Sequence, residues 1–552
     1  MSGAVFPVAE MSKSLCNIRV RRLILAAATF LLIIPSTASA QSGPTQQELT
    51  GVARSAKSWL HPNHDYAGLR YVDLKQITPA NASSLRPVCI YQTKERVPTQ
   101  TNPLEYDGTL YFTTTHYTIA LDAADCRLRW EHFWKARGRE VFRTNRGAAI
   151  KDGKIIRGTS DGFLLALDSQ TGAELWSRQI ADPDHGYFFS MPPLLYEDLI
   201  VIGTAGSEWA AKGWVGAFRL EDGEPVWKFH TVPDPGQPGS ETWGKDPEVL
   251  THGGGSIWTP FSFDATKGVV YVPVGNPSPD FYDEVRPGAN LYTSSLVALD
   301  VHTGKLDWYY QTNPHDVHDW DLPQVSPLFR TTTKGKTRNV VAVSGKDGLL
   351  RLVDRDTHEI LYSVPFTTRE NVDVPLDDAV RVCPGALGGA EWSSPAYNPA
   401  SNTLFEPAVD WCNIIKKDKE PPRYDAPLYL GGLPRFDPWD KARGHLTAFD
   451  ASTGKERWRY ESPKPMLAGV TATSAGVIFT GEFSGDFLAL DAATGKALYR
   501  FNTGGPVAGG VITYETRGNQ YVAVMSGFVS EFFALGGGDQ GGAPMVILFS
   551  LP

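Results

Sequence analysis

Five ionisable side chains fall within seven positions of the segment PHDVHDWDLP: His315, Asp316, His318, Asp319 and Asp321. Carboxylates at this density, joined by an amide oxygen from elsewhere, suit a hard cation such as Ca²⁺, which takes oxygen ligands. The two histidines raise zinc as the other option, but no matching His or Cys cluster accompanies them. Three further segments stand out: GSEWAAKGWVGAF (206–218), GGGSIW running on to VPVGNPSPD (253–280), and VSGKDGLLRLVDR (343–355). Taken singly, their residues have plainer uses. Glu208 after a strand reads as a solvated turn residue, Asn276 before Pro277 and Lys346 before Asp-Gly read as turn formers, and Trp258 reads as packing.

The elements that must position these groups are announced by a repeat. An apolar strand ending in a polar residue, a turn, and an aromatic residue eight positions later occur seven times. The copies run from Asp122 to Trp130, Asp168 to Trp176, Arg219 to Trp227, Asp300 to Trp308, Asp354 to Tyr362, Asp450 to Trp458 and Asp491 to Tyr499. Thr-Gly in most copies supplies a tight hairpin turn with positive φ at Gly, and the aromatic ring returns on the outer strand to pack against its neighbour. Successive copies start 46, 51, 81, 54, 96 and 41 residues apart. The short spacings equal one four-stranded propeller blade, and the long ones imply insertions near 222–275 and 364–443.

Seven marked blades with strands left over at both ends predict an all-β, eight-bladed β-propeller with long inserted loops on one face; a seven-bladed ring is the alternative. Strands around 85–92 and 511–527 would close the ring like a clasp, making 41–552 a single domain. Residues 45–60 are the best helix candidate, outside the ring. Because inserted loops on one face of a rigid scaffold build sites, the insertions are where chemistry is expected.

Charge and targeting narrow the partners. The 552 residues carry a formal charge of −9, which becomes −12 without residues 1–40. Nothing basic is left over to neutralise phosphates, which argues against a nucleic-acid partner. Arg19, Arg21 and Arg22 precede an apolar run from Leu23 to Ile34, and Ala38-Ser39-Ala40 supplies a cleavage site. That is a signal peptide, residues 1–40, too short in its apolar run to span a bilayer, and it predicts export to a bacterial periplasm. Cys89, Cys126, Cys383 and Cys412 then lie in an oxidising compartment, and the local pairings Cys89–Cys126 and Cys383–Cys412 are expected.

Over nearly the whole mature chain the sequence resembles the pyrroloquinoline-quinone (PQQ) dependent dehydrogenases, the family of methanol, ethanol and membrane glucose dehydrogenases. The resemblance runs from HDYAGLRYVDLKQITPANASSLRP (64–87) through GNPSPDF and RPGANLY to TYETRGNQYVAV near the C-terminus. It implies an eight-bladed propeller that binds PQQ and Ca²⁺ and oxidises an alcohol, sugar or polyol hydroxyl. By the same resemblance Glu208 and Asn276 are metal ligands, and Asp319 is the catalytic base beside the metal. Lys346 contacts the reactive oxygens of the quinone, Trp258 is the ring on which PQQ stacks, and Arg146, Thr159 and Ser256 contact its edge.

Departures from the family pattern bear on substrate and metal. Gln100 stands where the alcohol branches carry Glu, and the adjacent Cys-Cys pair of the methanol and ethanol enzymes is missing. Glu391-Trp392 replaces an Asn-Trp, adding an acid near the cofactor rim that Trp392 helps to form. Asp321 matches the extra acid of lanthanide-dependent methanol dehydrogenases and is also present in the glucose branch, so a lanthanide is the alternative to Ca²⁺. With no C-x-x-C-H haem motif, a separate electron acceptor is implied, a cytochrome c or a quinone. The alternative from another functional class is a non-enzymatic periplasmic propeller that binds or scaffolds.

Overall fold

The computed structural model describes residues 43–55, 57–538 and 541–552; the expected signal peptide and its cleavage site lie outside them. Seven sheets follow one another along the chain, each an antiparallel set of four strands, spanning 104–133, 149–179, 194–230, 262–311, 328–365, 396–462 and 471–502. A further sheet joins the two ends of the chain: Arg86–Gln92 pairs with Met545–Ser550, which pairs with Asn519–Ser526, and that strand with Val511–Thr516. Tyr71–Val72 adds a parallel edge to the 471–502 sheet. Among the described residues no helix is long and apolar enough to cross a membrane.

Strand sequence follows depth in each sheet. Leu199–Gly203 (LIVIG), Val269–Pro273 (VVYVP) and Val477–Gly481 (VIFTG) are buried along their whole length, as expected for strands covered on both faces. Outer strands such as Ile360–Pro365 are only partly covered, with Ile360, Ser363 and Pro365 exposed. Apolar clusters fill the space between successive sheets: Leu104 and Tyr111 meet Ile155 and Leu165, and Phe405 and Leu446 meet Ile478 and Leu488. Phe112 and Ile119 of the first sheet meet Ile512 and Leu548 of the terminal one. The last sheet therefore packs on the first. Arg70 is fully buried and donates to Val470 O, Pro62 O, Asn63 Oδ1, Asn102 Oδ1, Thr471 Oγ1 and Val511 O, tying four stretches of the chain together.

The repeated hairpin joins the third and fourth strands of a sheet. Its leading Asp organises the turn: Asp168 Oδ1 accepts from the backbone N–H of Gln170 and Thr171 and from the Thr171 hydroxyl, and Asp300 and Asp491 do the same in their own copies. The aromatic residue of one sheet then lies flat on the turn glycine of the next. A Cβ on Gly172 would lie 2.5 Å from the Trp130 ring and one on Gly304 would lie 2.3 Å from the Trp227 ring. The indole N–H of Trp130 donates to Ser169 O and that of Trp227 to Val301 O. In the copy that carries His358 in place of Gly, Trp308 stacks on the imidazole at 4.5 Å. Gly172 combines a φ of +72° with this contact, so Gly172→Ala is expected to cost about 2–3 kcal/mol of stability, more than backbone strain alone. Urea unfolding measures it, and an unchanged midpoint would show that ring-on-turn packing is not a stabilising contact.

Three expectations need correction. The helix over 45–60 is shorter, Gln46–Gly51 with a 3₁₀ turn Val52–Arg54. A capping box at Thr45 starts it, and it cannot continue because Trp59 is drawn into backbone pairing with Glu105. The closing sheet takes a further strand, Met545–Ser550, between the two stretches expected to meet. Each long interval also contains ordinary sheet strands, because the repeat marks only the outer hairpin. The true excursions are 231–261 and 274–294 in the first, and 366–395 and 411–442 in the second. Both expected disulfides are present: Cys89–Cys126 joins the terminal sheet to the first hairpin turn, and Cys383–Cys412 links the two halves of the second insertion.

Candidate functional site

The excursions surround a cavity of about 240 Å³. Asp319 and Asp321 reach it from the connection between Leu306–Gln311 and Leu328–Thr333. Asp319 has φ +61°, a conformation that costs a non-glycine residue about 1–3 kcal/mol. Buried Asp316 stabilises the turn, accepting from the backbone N–H of His318 and Trp320. Lys346 arrives from the turn between Lys336–Ser344 and Leu349–Asp354, and its Nζ lies 3.1 Å from Asp319 Oδ1 and 2.6 Å from Asp321 Oδ2. Asp321 Oδ1 also accepts from the backbone N–H of Asn276 at 3.0 Å and the indole N–H of Trp258 at 3.3 Å. One carboxylate thus joins three of the segments that stood out in the sequence.

The floor is aromatic and flanked by cations. Arg146 Cζ lies 4.7 Å and Lys346 Nζ 5.9 Å from the Trp258 ring centre, and Arg146 also lies 5.5 Å from that of Trp392. Arg146 Nη1 donates to Ser190 Oγ and Trp258 O, which fixes its direction. Glu208 sits in the 3₁₀ turn Ser207–Trp209, and neighbouring Ser207 shares a hydrogen bond with Ser256. Gln100 lines the cavity while donating to Val529 O, and Trp392 donates to Ala508 O.

Glu208, Asp280, Asp319, Asp321 and Glu391 bring five carboxyl groups to a cavity whose lining cations are Arg146 and Lys346. Burial pushes the Asp319 carboxyl well above its usual range and Asp321, Asp280 and Glu208 push it further, with Lys346 opposing. Glu208 and Asp280 rise for the same reasons, burial first and neighbouring carboxylates next. Burial raises Glu391 to about 7 against Lys346 and Arg146. These directions mark a site short of positive charge.

Two sequence-predicted residues stand off the cavity wall. Asn276 is buried behind Asp321; its Oδ1 has no partner among the described residues. Thr159 is buried with its hydroxyl donating to Asp161 Oδ1 and accepting from Phe163 N–H, so it does not reach the lining. His315 and His318 face a separate cavity with Asp283 and Lys417. Sequence reasoning gave no role to Asp280 or to the aromatic wall of Phe142, Phe188, Trp209 and Phe532. Asp280 closes the quoted GNPSPD segment, which was the available signal; the wall has none, because its members come from separate stretches of chain.

The donor set fits a hard cation, since it offers oxygen only and includes an unpartnered amide oxygen. Among the described residues no group of three or more His, Cys, Asp or Glu side chains stands gathered to hold a metal ion. A flat indole with two cations over it likewise fits a planar anionic ligand.

Fold and cavity together define a quinoprotein propeller, and comparison with known proteins agrees. The β-propeller domain of glucose, ethanol and alcohol dehydrogenases matches residues 59–381, more than half of the chain, and the outer membrane protein assembly factor BamB domain matches 442–527. The chain belongs to the PQQ-dependent alcohol dehydrogenase family and is an oxidoreductase acting on CH–OH groups. It is similar to quinohemoprotein alcohol dehydrogenase ADH IIB of Pseudomonas putida, 29% identical over 534 residues that cover 90% of this chain and 77% of that one. Among solved structures it is similar to quinohemoprotein alcohol dehydrogenase ADHIIG of Pseudomonas putida HK5 (TM-score 0.86, 27% identity, 91% of this chain and 81% of that one). It is also similar to a europium-containing methanol dehydrogenase (TM-score 0.84, 26% identity, 92% of this chain and 100% of that one).

Proposed function

We propose that residues 41–552 form one eight-bladed propeller, exported to the periplasm, that oxidises a substrate hydroxyl at the Asp319 cavity and passes electrons to a separate acceptor, a cytochrome c or a quinone. The observation that carries this reading is the cluster in which Lys346 bridges Asp319 and Asp321 beside the Trp258 ring. When bound, PQQ would supply the hydride acceptor and Ca²⁺, or a lanthanide, would supply Lewis acidity.

The chain's own groups do the rest. Asp319 takes the hydroxyl proton, for which a carboxylate beside the reacting carbon is suited. Burial and neighbouring carboxylates raise its pKa and added positive charge would lower it; Glu208, Asn276 and Asp319 would hold such a cation through oxygen. Lys346 directs its ammonium to where negative charge develops, which counts for more in a buried site than in water. Trp258 and Trp392 form the aromatic floor and rim, while Arg146, Gln100 and Ser256 orient the ligand from its edge. Thr159 acts only indirectly, through its bond to Asp161.

Reconstitution with PQQ and Ca²⁺, followed by dye reduction with a panel of alcohols, sugars and polyols, tests the reading. Dye reduction dependent on both additions is expected. PQQ binding without oxidation of any member of the panel would point instead to a binding propeller.

A further inference from the structure

We propose that His116, away from the cavity lining, is a positioning residue for it: as an imidazolium held between Glu95 and Glu140 it latches the stretch that carries Phe142, and when it gives up its proton the latch opens and the aromatic wall loosens. Its effect on turnover rests on reading the cavity as the site of hydroxyl oxidation; the latch itself does not. The latch is built on the turn between Thr109–Thr113 and Tyr117–Asp122. His116 Nδ1 lies 2.8 Å from Glu95 Oε2, and Nε2 lies 2.6 Å from Glu140 Oε1. An imidazolium donates from both nitrogens, whereas neutral imidazole has a single N–H and would turn a lone pair toward one of the carboxylates. Glu95 also accepts from the Thr114 hydroxyl and, at 3.0 Å, from the backbone N–H of His116. Those bonds hold Glu95 beside Nδ1 in either protonation state, so the Glu140 side gives way.

Glu140 stands two residues before Phe142 in a connection between strands, 134–148, that leads to Arg146. Phe142 is the ring on which the wall turns: it lies 5.5 Å from Trp209, 6.0 Å from Phe188 and 5.3 Å from Phe532, centre to centre. Around it the chain is fastened by few bonds. Ser160 Oγ donates to Glu140 Oε1 at 2.8 Å, Val141 N–H to Ser160 O at 3.2 Å, and Thr115 Oγ1 to Arg143 O at 2.8 Å. Arg146 has its own anchors in Ser190 and Trp258 O, so release of Glu140 falls on Phe142.

The other charged groups that face the latch do not replace it. Arg143 lies 3.9 Å from Glu140 Oε2 with its side chain 63% exposed, where a single ion pair contributes little. Arg157, buried beneath the turn, donates to Thr114 O and Thr115 O. Lys94 is paired with Glu131, and Asp161 accepts from the Trp134 indole and the Arg137 backbone N–H. The bond to Glu95, together with the charges of Glu95 and Glu140, raises the His116 imidazole above its usual range, although burial opposes the rise. A group raised in this way contributes fully below its ordinary pKa and loses its contribution as pH climbs through the raised one. The latch is therefore closed in acid and opens toward alkaline pH.

Amide hydrogen exchange of 139–143 in the full chain, expressed as protection over a free peptide at the same pH, tests the latch without turnover. Protection is expected to fall roughly tenfold between about pH 6 and about pH 9, the loss of one charge-assisted hydrogen bond, while the buried strand Leu199–Gly203 keeps its own. His116→Gln is expected to show the low protection at every pH. Glu140→Gln is expected to do the opposite, because its amide N–H donates to the lone pair of the neutral imidazole and the fall with pH disappears. On protein loaded with PQQ and Ca²⁺, KM for a primary alcohol is expected to rise over the same interval in the parent and to stay flat in Glu140→Gln, with kcat following one pH profile in both. Protection that does not change with pH in the parent, or a fall that persists in Glu140→Gln, would overturn the latch. KM profiles that coincide in parent and Glu140→Gln would overturn the positioning role. Failure to oxidise any hydroxyl would overturn the proposed function and the positioning role with it, and the exchange result would still decide the latch.

Discussion

Asp319→Asn is expected to lose ~10²–10⁴-fold in kcat, the usual contribution of a general base, while most PQQ binding survives. Asn keeps the shape of the side chain and one oxygen to accept from Lys346, but it takes no proton at neutral pH. Lys346 stays anchored, because its closer partner at 2.6 Å is Asp321. The variant is not expected to unfold the site. Asp319 is one of several carboxyls pushed upward by burial and by one another, so removing its charge relieves repulsion among them. Single-turnover kinetics on PQQ-loaded protein would show the loss in the chemical step, and turnover near the parent rate would remove Asp319 from the base role. Asp321 and Asp316 would then be next to test, although Asp316 is committed to the backbone N–H groups of His318 and Trp320.

Removal of the metal is expected to abolish dye reduction altogether, and Ca²⁺ to restore it. Five carboxyl groups share the cavity with Arg146 and Lys346, and burial with mutual repulsion raises Glu208, Asp280 and Asp319. A divalent cation would oppose that rise and favour the ionised form of Asp319. Glu208→Gln is therefore expected to differ from Asp319→Asn: it weakens metal affinity first, and excess Ca²⁺ rescues part of the activity. Restoration by a lanthanide alone would withdraw Ca²⁺ and make Asp321 a ligand. Activity that survives complete chelation would remove the metal from the mechanism.

The eight-residue hairpin interval was legible because most copies use the same local chemistry, an Asp that organises its turn and a ring that docks on the next turn's glycine; Arg219 and His358 are the exceptions. The strand Met545–Ser550 carries neither signal. MVILFS is an apolar run, and such a run does not state which strands it will lie between. Glu208, Asp319 and Lys346 could be located from their short motifs, and the structure brings them into one cavity. Thr159 could not be judged that way, since whether its hydroxyl faces the cavity depends on Asp161 two residues away. The aromatic wall was invisible for a different reason: Phe142, Trp209, Leu433 and Phe532 meet only after the ring has closed.

The most direct test of the account is stoichiometric reduction without a dye. Anaerobic protein holding one equivalent each of PQQ and Ca²⁺ is mixed with a primary alcohol, and the absorbance of bound PQQ and the aldehyde formed are followed together. The account predicts that absorbance changes to the reduced form as one equivalent of aldehyde appears, and that Asp319→Asn slows both equally. Bound PQQ whose spectrum stays unchanged, with no aldehyde formed, would contradict it.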